Sequence, residues 1–294
     1  MRSLRVAFLA LPLFAQNIVV NTTLVVIPVT VTDPQNRFVV GLDKPDFTLL
    51  EDGVDQKISH FSGEDAPLSI GILVDTSGSM DFKMETSRRA VAEFLKTMNA
   101  QDEAFLVQFS DRAEVAQPFT SDMREIEHSM GSLHAGGLTA LLDAVDLGVM
   151  EMKKAKNPRK ALLVVSDGGD NHSRYTAADI KGVVKEADTQ IYAMGVFEPV
   201  ILPRMAAAEV SGPRLLAEIA DQTGGRAFGA SEFSQLPAIA EKIAIELRNQ
   251  YVLAYAPSNG ERDGKYRKVE VRVRQPKGLP ALKARWRLGY YAPQ

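Results

Sequence analysis

Three short segments concentrate hydroxyl and carboxylate oxygens. The first is Asp75-Thr76-Ser77-Gly78-Ser79-Met80, in which an acid and two hydroxyls alternate directly after the apolar run 69–74. Gly78 gives that backbone the freedom to wrap a small centre. The second is Gly136-Gly137-Leu138-Thr139, where a hydroxyl residue stands behind two glycines at the opening of a helical pattern. The third is Ser166-Asp167-Gly168-Gly169-Asp170, again directly after an apolar run, 161–165. A hard divalent cation such as Mg²⁺ takes octahedral oxygen ligands and keeps several waters. Ser77, Ser79 and Thr139, with Asp75 and Asp167 nearby, would supply such a site with few direct charges. The ion would stay electrophilic and able to accept a carboxylate from a partner. Asp170 reads as a turn acid or as an acceptor that orients a ligand.

Other chemistries find less support. Ser77 lacks the Gly-x-Ser-x-Gly setting of an activated serine. His60, His128, His134 and His172 are scattered, and no His-Glu-x-x-His pair occurs. His134 and His172 flank the second and third segments, which allows them a place at the rim of the site. An aspartyl-phosphate reaction on Asp75 is the main enzymatic rival, since such nucleophiles follow buried strands. It would want a second acid on the same loop and a nearby lysine, and Thr76 and Ser77 stand where that acid would be. No Gly-x-x-x-x-Gly-Lys-Ser/Thr phosphate loop occurs.

These segments need a scaffold that brings them together, and the middle of the chain has the pattern of one. Runs at 69–74, 104–109, 161–165 and 190–196 are almost continuously apolar, as expected of strands covered on both faces. Between them Ala90, Val91, Phe94, Leu95 and Met98 recur at helical spacing, as do Leu138, Leu141, Leu142, Val145, Val149 and Met152. Further helices are expected over 215–221 and 236–247. Strands separated by helices imply a doubly wound, mostly parallel α/β sheet, with ligands at the carboxyl ends of its strands.

Both ends of the chain have a β texture. Strands are expected over 24–31, 38–40, 47–50 and 56–61, and later over 251–255, along the alternating Val269, Val271 and Val273, and over 285–291. The N-terminal set is too small to stand alone. The economical architecture therefore pairs the two ends in a smaller β-sandwich, with the α/β domain inserted between them. The expected divisions are 1–15, 16–66, 67–248 and 249–294.

Residues 1–15 carry Arg2 and Arg5, an apolar run over 6–14 and then Ala15, which is the order of a secretory signal peptide. An exported protein, periplasmic or extracellular, is expected, with no transmembrane anchor in the mature chain. The 294 residues include no Cys, which excludes disulfides, Cys-ligated metals and thiol nucleophiles. With 34 basic and 37 acidic residues the net charge is −3, so nothing in the global charge favours nucleic acid. That balance hides a basic C-terminal segment containing Arg262, Lys265, Arg267, Lys268, Arg272, Arg274, Lys277, Lys283, Arg285 and Arg287. The expected reading is a solvated sheet face, with docking of an acidic partner as the alternative. Trp286, Tyr290 and Tyr291 are expected to pack within the sheets.

The three oxygen-rich segments resemble the metal-ion-dependent adhesion site of the von Willebrand factor type A domain: an Asp-x-Ser-x-Ser loop, a Thr on a second loop and an Asp on a third. Asp75, Ser77 and Ser79 match the first element, Thr139 the second and Asp167 the third. The resemblance covers roughly 67–247. It implies that Ser77, Ser79 and Thr139 bind Mg²⁺ directly, with Mn²⁺ or Ca²⁺ as alternatives, and that Asp75 and Asp167 act largely through water. It also implies a non-enzymatic adhesion module whose protein partner supplies an Asp or Glu. A metal-assisted hydrolase or phosphoryl-transfer enzyme using Asp75, or a metal-free scaffold, are the alternatives. Asp46-Phe47-Thr48-Leu49 with Glu51-Asp52-Gly53 and Gln56, and Gly264-Lys265-Tyr266-Arg267-Lys268, are similar to a group of exported bacterial proteins related to that domain.

Overall fold

The computed structural model of the protein describes residues 24–63, 65–167, 169–196, 207–275 and 281–294. The signal-peptide expectation at 1–15, the first residues of the N-terminal β segment and Lys277 lie outside them. Four strands come first, β1 (Val25–Thr32), β2 (Phe47–Glu51), β3 (Val54–Gln56) and β4 (Ile58–Ser62). The α/β part then runs β5 (Leu68–Asp75), α1 (Met84–Leu95), β6 (Glu103–Phe109), β7 (Ala113–Thr120), α2 (Met123–Ser132), α3 (Leu141–Met152) and β8 (Arg159–Val165). It continues with α4 (Ala177–Glu186), β9 (Gln190–Val196), α5 (Ala207–Gln222), β10 (Ala227–Ala230) and α6 (Leu236–Arg248). The last strands are β11 (Tyr251–Tyr255), β12 (Tyr266–Val273), β13 (Lys283–Arg285) and β14 (Gly289–Tyr291).

The central sheet has six strands in the order β10-β9-β8-β5-β6-β7, parallel except for the antiparallel edge strand β7. Every residue of β5 is buried, because helices cover both of its faces. Ile70, Ile72 and Val74 join one apolar cluster with Phe94 of α1 and Ile243 and Leu247 of α6. Leu73 points the other way, into a cluster with Val145 of α3, Ile180 of α4 and Ile219 of α5. Each such side chain stabilises the fold by about 1.5–3 kcal/mol. The chain runs from β5 toward β6 and β7 on one side, then returns to β8, β9 and β10 on the other. The carboxyl ends of β5 and β8 therefore border the crevice where strand order reverses, which is where such sheets bind ligands.

Strands from both chain ends mix in two four-stranded antiparallel sheets, ordered β13-β1-β11-β4 and β14-β12-β2-β3. Ile27 and Leu253 of the first and Leu49 and Val271 of the second share one apolar cluster. Within it the Glu51 carboxylate accepts hydrogen bonds from the Tyr255 and Tyr290 hydroxyls at 2.7 and 2.8 Å.

Several expectations are corrected. The strand expected over 38–40 is reduced to one bridge between Phe38 and Thr32. The strand expected over 285–291 is two strands in different sheets, β13 against β1 and β14 against β12. The residue span expected to form one strand near 56–61 divides into β3 and β4, again in different sheets. The basic segment is not wholly solvated: Arg267 and Arg287 are buried, paired with Asp263 and Asp188. Trp286 is partly buried and donates to the Val269 carbonyl, and Tyr290 is buried, whereas Tyr291 is 38% exposed.

Polar networks fasten the α/β part to the antiparallel sheets. Buried Glu246 of α6 accepts hydrogen bonds from Tyr192 of β9 at 3.2 Å and from Thr30 of β1 at 3.5 Å. Burial pushes the Glu246 carboxyl above its ordinary range. Arg159, fully buried at the start of β8, donates to the Ala66 carbonyl at 2.7 Å and to the Leu247 carbonyl. It thus holds together the points where the chain enters and leaves the α/β part.

Candidate metal centre

Asp75 is the last residue of β5, and its side chain has no exposed surface. Its Oδ1 accepts the Ser77 backbone N–H at 2.9 Å, and its Oδ2 accepts the Ser166 hydroxyl at 2.6 Å. Both oxygens therefore serve to shape the first loop and to tie it to the third. Burial pushes the Asp75 carboxyl from 3.8 up to about 6. Hydrogen bonds from Ser166 and Ser77 oppose that rise, and the nearby Asp167 charge adds to it.

Ser77 begins a 3-10 turn, Gly78–Lys83, that leads into α1. The turn carries the Ser79 hydroxyl to 3.1 Å from that of Ser77, with Ser77 buried and Ser79 exposed. The second loop is zipped to the first by the Gly136 N–H on the Thr76 carbonyl at 2.8 Å and the Gly78 N–H on the Gly137 carbonyl at 3.0 Å. Gly137 has φ of +82°, and a Cβ there would lie 2.8 Å from the Asp111 carboxylate. That close approach lets Asp111 accept the Leu138 N–H at 2.8 Å.

Thr139 is buried and pinned by the third loop. Its N–H donates to Asn171 Oδ1 at 2.9 Å, and its carbonyl accepts the Asn171 and His172 N–H groups, each at 3.0 Å. Asp167 is partly exposed and accepts the Lys83 ammonium at 2.9 Å. The five residues singled out in the sequence, Asp75, Ser77, Ser79, Thr139 and Asp167, thus stand on three loops joined by hydrogen bonds at one end of the sheet.

Other candidates take different places. Asp170 accepts the Ser173 hydroxyl at 2.5 Å and the Leu142 N–H at 3.4 Å, so it caps the first turn of α3. His134 and His172 are exposed, and His172 lines a cavity of about 530 Å³ shared with Asp111, Asp143, Asp146, Arg174 and Tyr175. His60 and His128 are exposed on β4 and α2, away from the three loops. Sequence reasoning missed Asp111, Asn171 and Lys83, and gave Ser166 no role within the third segment. Each follows or flanks a strand-end segment, but its role depends on a partner distant in the chain. Phe82 on the first loop is 95% exposed, and Leu138, expected on the apolar face of a helix, instead lies on the second loop before α3 and is 46% exposed.

Among the described residues, no group of three His, Asp or Glu side chains is arranged to hold a metal. The donor set here is instead two carboxylates and three hydroxyls. No described helix is long and apolar enough to cross a membrane.

Residues 70–169 match the family model of the von Willebrand factor type A domain. Among solved structures, the chain is similar to a von Willebrand factor type A protein from Catenulispora acidiphila, at 14% identity and a TM-score of 0.53, covering 93% of this chain and 75% of that one. It is similar to the PilB minor pilin from Streptococcus sanguinis at 15% identity and a TM-score of 0.50, covering 63% of this chain and 62% of the pilin. Proximal thread matrix protein 1 from the mussel byssus is similar at 16% identity and a TM-score of 0.53, covering 67% of this chain and 51% of that one. The match thus spans less than two thirds of the pilin's length and about half of the byssal protein's. At these identities the likeness is one of fold. No curated protein matches the chain in sequence.

Proposed function

From a central segment that matches the von Willebrand factor type A domain, we propose that this protein is a non-enzymatic, divalent-cation-dependent protein-binding module. Ser77, Ser79 and Thr139 would hold Mg²⁺ through their hydroxyls, and Asp75 and Asp167 would act mainly through bound water. Mn²⁺ and Ca²⁺ are the alternative ions. The cation's contribution is Lewis acidity toward a carboxylate of a partner protein. The antiparallel sheets formed by the two chain ends read as one β-sandwich into which the α/β domain is inserted, and the chain reads as exported.

The observation that carries this proposal is the joining of three oxygen-bearing loops at the β5 and β8 strand ends. The donors are all hard oxygens, which suits Mg²⁺ or Ca²⁺. An octahedral ion with ligands at about 2.1 Å needs adjacent ligands about 3 Å apart, and the Ser77 and Ser79 hydroxyl oxygens are 3.1 Å apart. A pilin and a byssal matrix protein among the structures of like fold fit an adhesive role.

The enzymatic alternative meets two obstacles. Asp75 is buried with both oxygens in hydrogen bonds, so neither is directed at a substrate phosphorus. Ser77 lacks the Gly-x-Ser-x-Gly setting of an activated serine, and its hydroxyl is engaged by both the Ser79 hydroxyl at 3.1 Å and the Asp75 carboxylate.

The test is calorimetry with Mg²⁺ and Mn²⁺, followed by capture of partners from an extracytoplasmic extract with and without EDTA. Ion binding together with EDTA-sensitive capture is expected. Capture that is unchanged by EDTA, combined with no measurable ion binding, would leave the metal-free scaffold reading instead.

A further inference from the structure

Lys83 ends the 3-10 turn that carries Ser79, and its ammonium is seated within the site. It donates to Asp167 Oδ2 at 2.9 Å and lies 5.1 Å from the centre of the Phe233 ring. Its side chain is only 18% exposed and that of Asp167 17% exposed, so this is not a pair of freely solvated surface charges. Asp75, the other carboxylate of the set, is fully buried with both oxygens in hydrogen bonds. Of the two carboxylates in the donor set, Asp167 is therefore the one more open to an incoming cation, and Lys83 already neutralises it.

We propose that Lys83 is a tethered competitor of the divalent ion. An arriving ion must either displace the ammonium from Asp167 or share the carboxylate with it. Sharing places a single and a double positive charge within about 6 Å, which weakens binding about tenfold even at the dielectric constant of water and more in a partly buried site. Displacement forfeits the ion pair and the contact with Phe233. Either way the ion alone is held weakly, and a carboxylate supplied by a partner restores the missing negative charge. Ion and partner then bind cooperatively, each raising the affinity for the other by the same factor.

This inference rests on the metal-site reading above, and the experiment separates the two. Mg²⁺ is titrated calorimetrically into the full chain as wild type, Lys83→Met and Lys83→Arg, with urea unfolding to verify that each is folded. Lys83→Met keeps a linear apolar side chain and removes the charge, so it should bind Mg²⁺ about tenfold or more tightly than wild type. Lys83→Arg should keep the wild-type affinity; Lys83→Gln replaces Lys83→Met if the latter does not fold. Binding by Lys83→Met where wild type shows none would also support the proposal. Equal affinity of wild type and Lys83→Met overturns it while leaving the metal site standing, as does equal tightening by Lys83→Arg. No binding by any variant overturns the metal reading and this inference with it.

Discussion

Asp75→Asn should make the metal-free protein more stable at neutral pH while abolishing its response to Mg²⁺. Asp75 is completely buried, and burial raises its carboxyl from 3.8 to about 6. Because the folded value is the higher one, folding is unpenalised below about pH 4, is increasingly opposed as pH rises toward 6, and carries the full penalty above it. The gap corresponds to about 3 kcal/mol of destabilisation at pH 7.5 in the absence of a cation. An amide at this position can keep both hydrogen bonds, its oxygen accepting the Ser77 N–H and its nitrogen donating to the Ser166 hydroxyl. The substitution should therefore remove the penalty with little change in packing. The assay is urea unfolding of both proteins in EDTA at pH 4 and pH 7.5, repeated at pH 7.5 with Mg²⁺. The variant's advantage over wild type should be larger at pH 7.5 than at pH 4 by up to about 3 kcal/mol. Saturating Mg²⁺ should stabilise only the wild type, by about 2.7 kcal/mol at a concentration one hundred times its dissociation constant. An identical stability difference at the two pH values would refute the assignment of Asp75 as a strained buried carboxylate.

Two further outcomes concern the scaffold. Arg159→Met removes the donors to the Ala66 and Leu247 carbonyls at the entry and exit of the α/β part, and should cost about 2–4 kcal/mol in urea unfolding without altering Mg²⁺ affinity. Tyr255→Phe leaves buried Glu51 with Tyr290 as its remaining tyrosine partner; the expected loss is about 1–2 kcal/mol by the same measurement.

The site was legible where its chemistry is local. Asp75, Ser77 and Ser79 fall within five residues, and Asp167 follows its own apolar strand, so residue type and position sufficed to single them out. The elements around them were legible in proportion to their burial. β5 and β8 are almost continuously apolar because they are covered twice, but β7 is half-exposed along its length and interrupted by Pro118, and the sequence reading assigned no element there. The same reading passed over α2 and α4, each of which buries only two side chains. The Thr176 and Asp179 capping box was a usable start signal for α4. The split of 285–291 was not readable locally, because the sheet each half joins depends on β1 and β12, both far away in the chain.

By itself the sequence determined the kinds of chemistry available: oxygen donors, no thiols, and hydroxyl-rich loops after buried strands. These follow from side-chain identity and short-range periodicity, which need no partner to be read. Only the tertiary structure decided how the donors are held and how their charges stand. It buried Asp75 with two hydrogen bonds, fixed Thr139 through Asn171, and set the Lys83 ammonium against Asp167. The separation is a physical one: a carboxylate's proton affinity and an ammonium's reach depend on burial and on neighbours dozens of residues away, and folding alone brings those into contact.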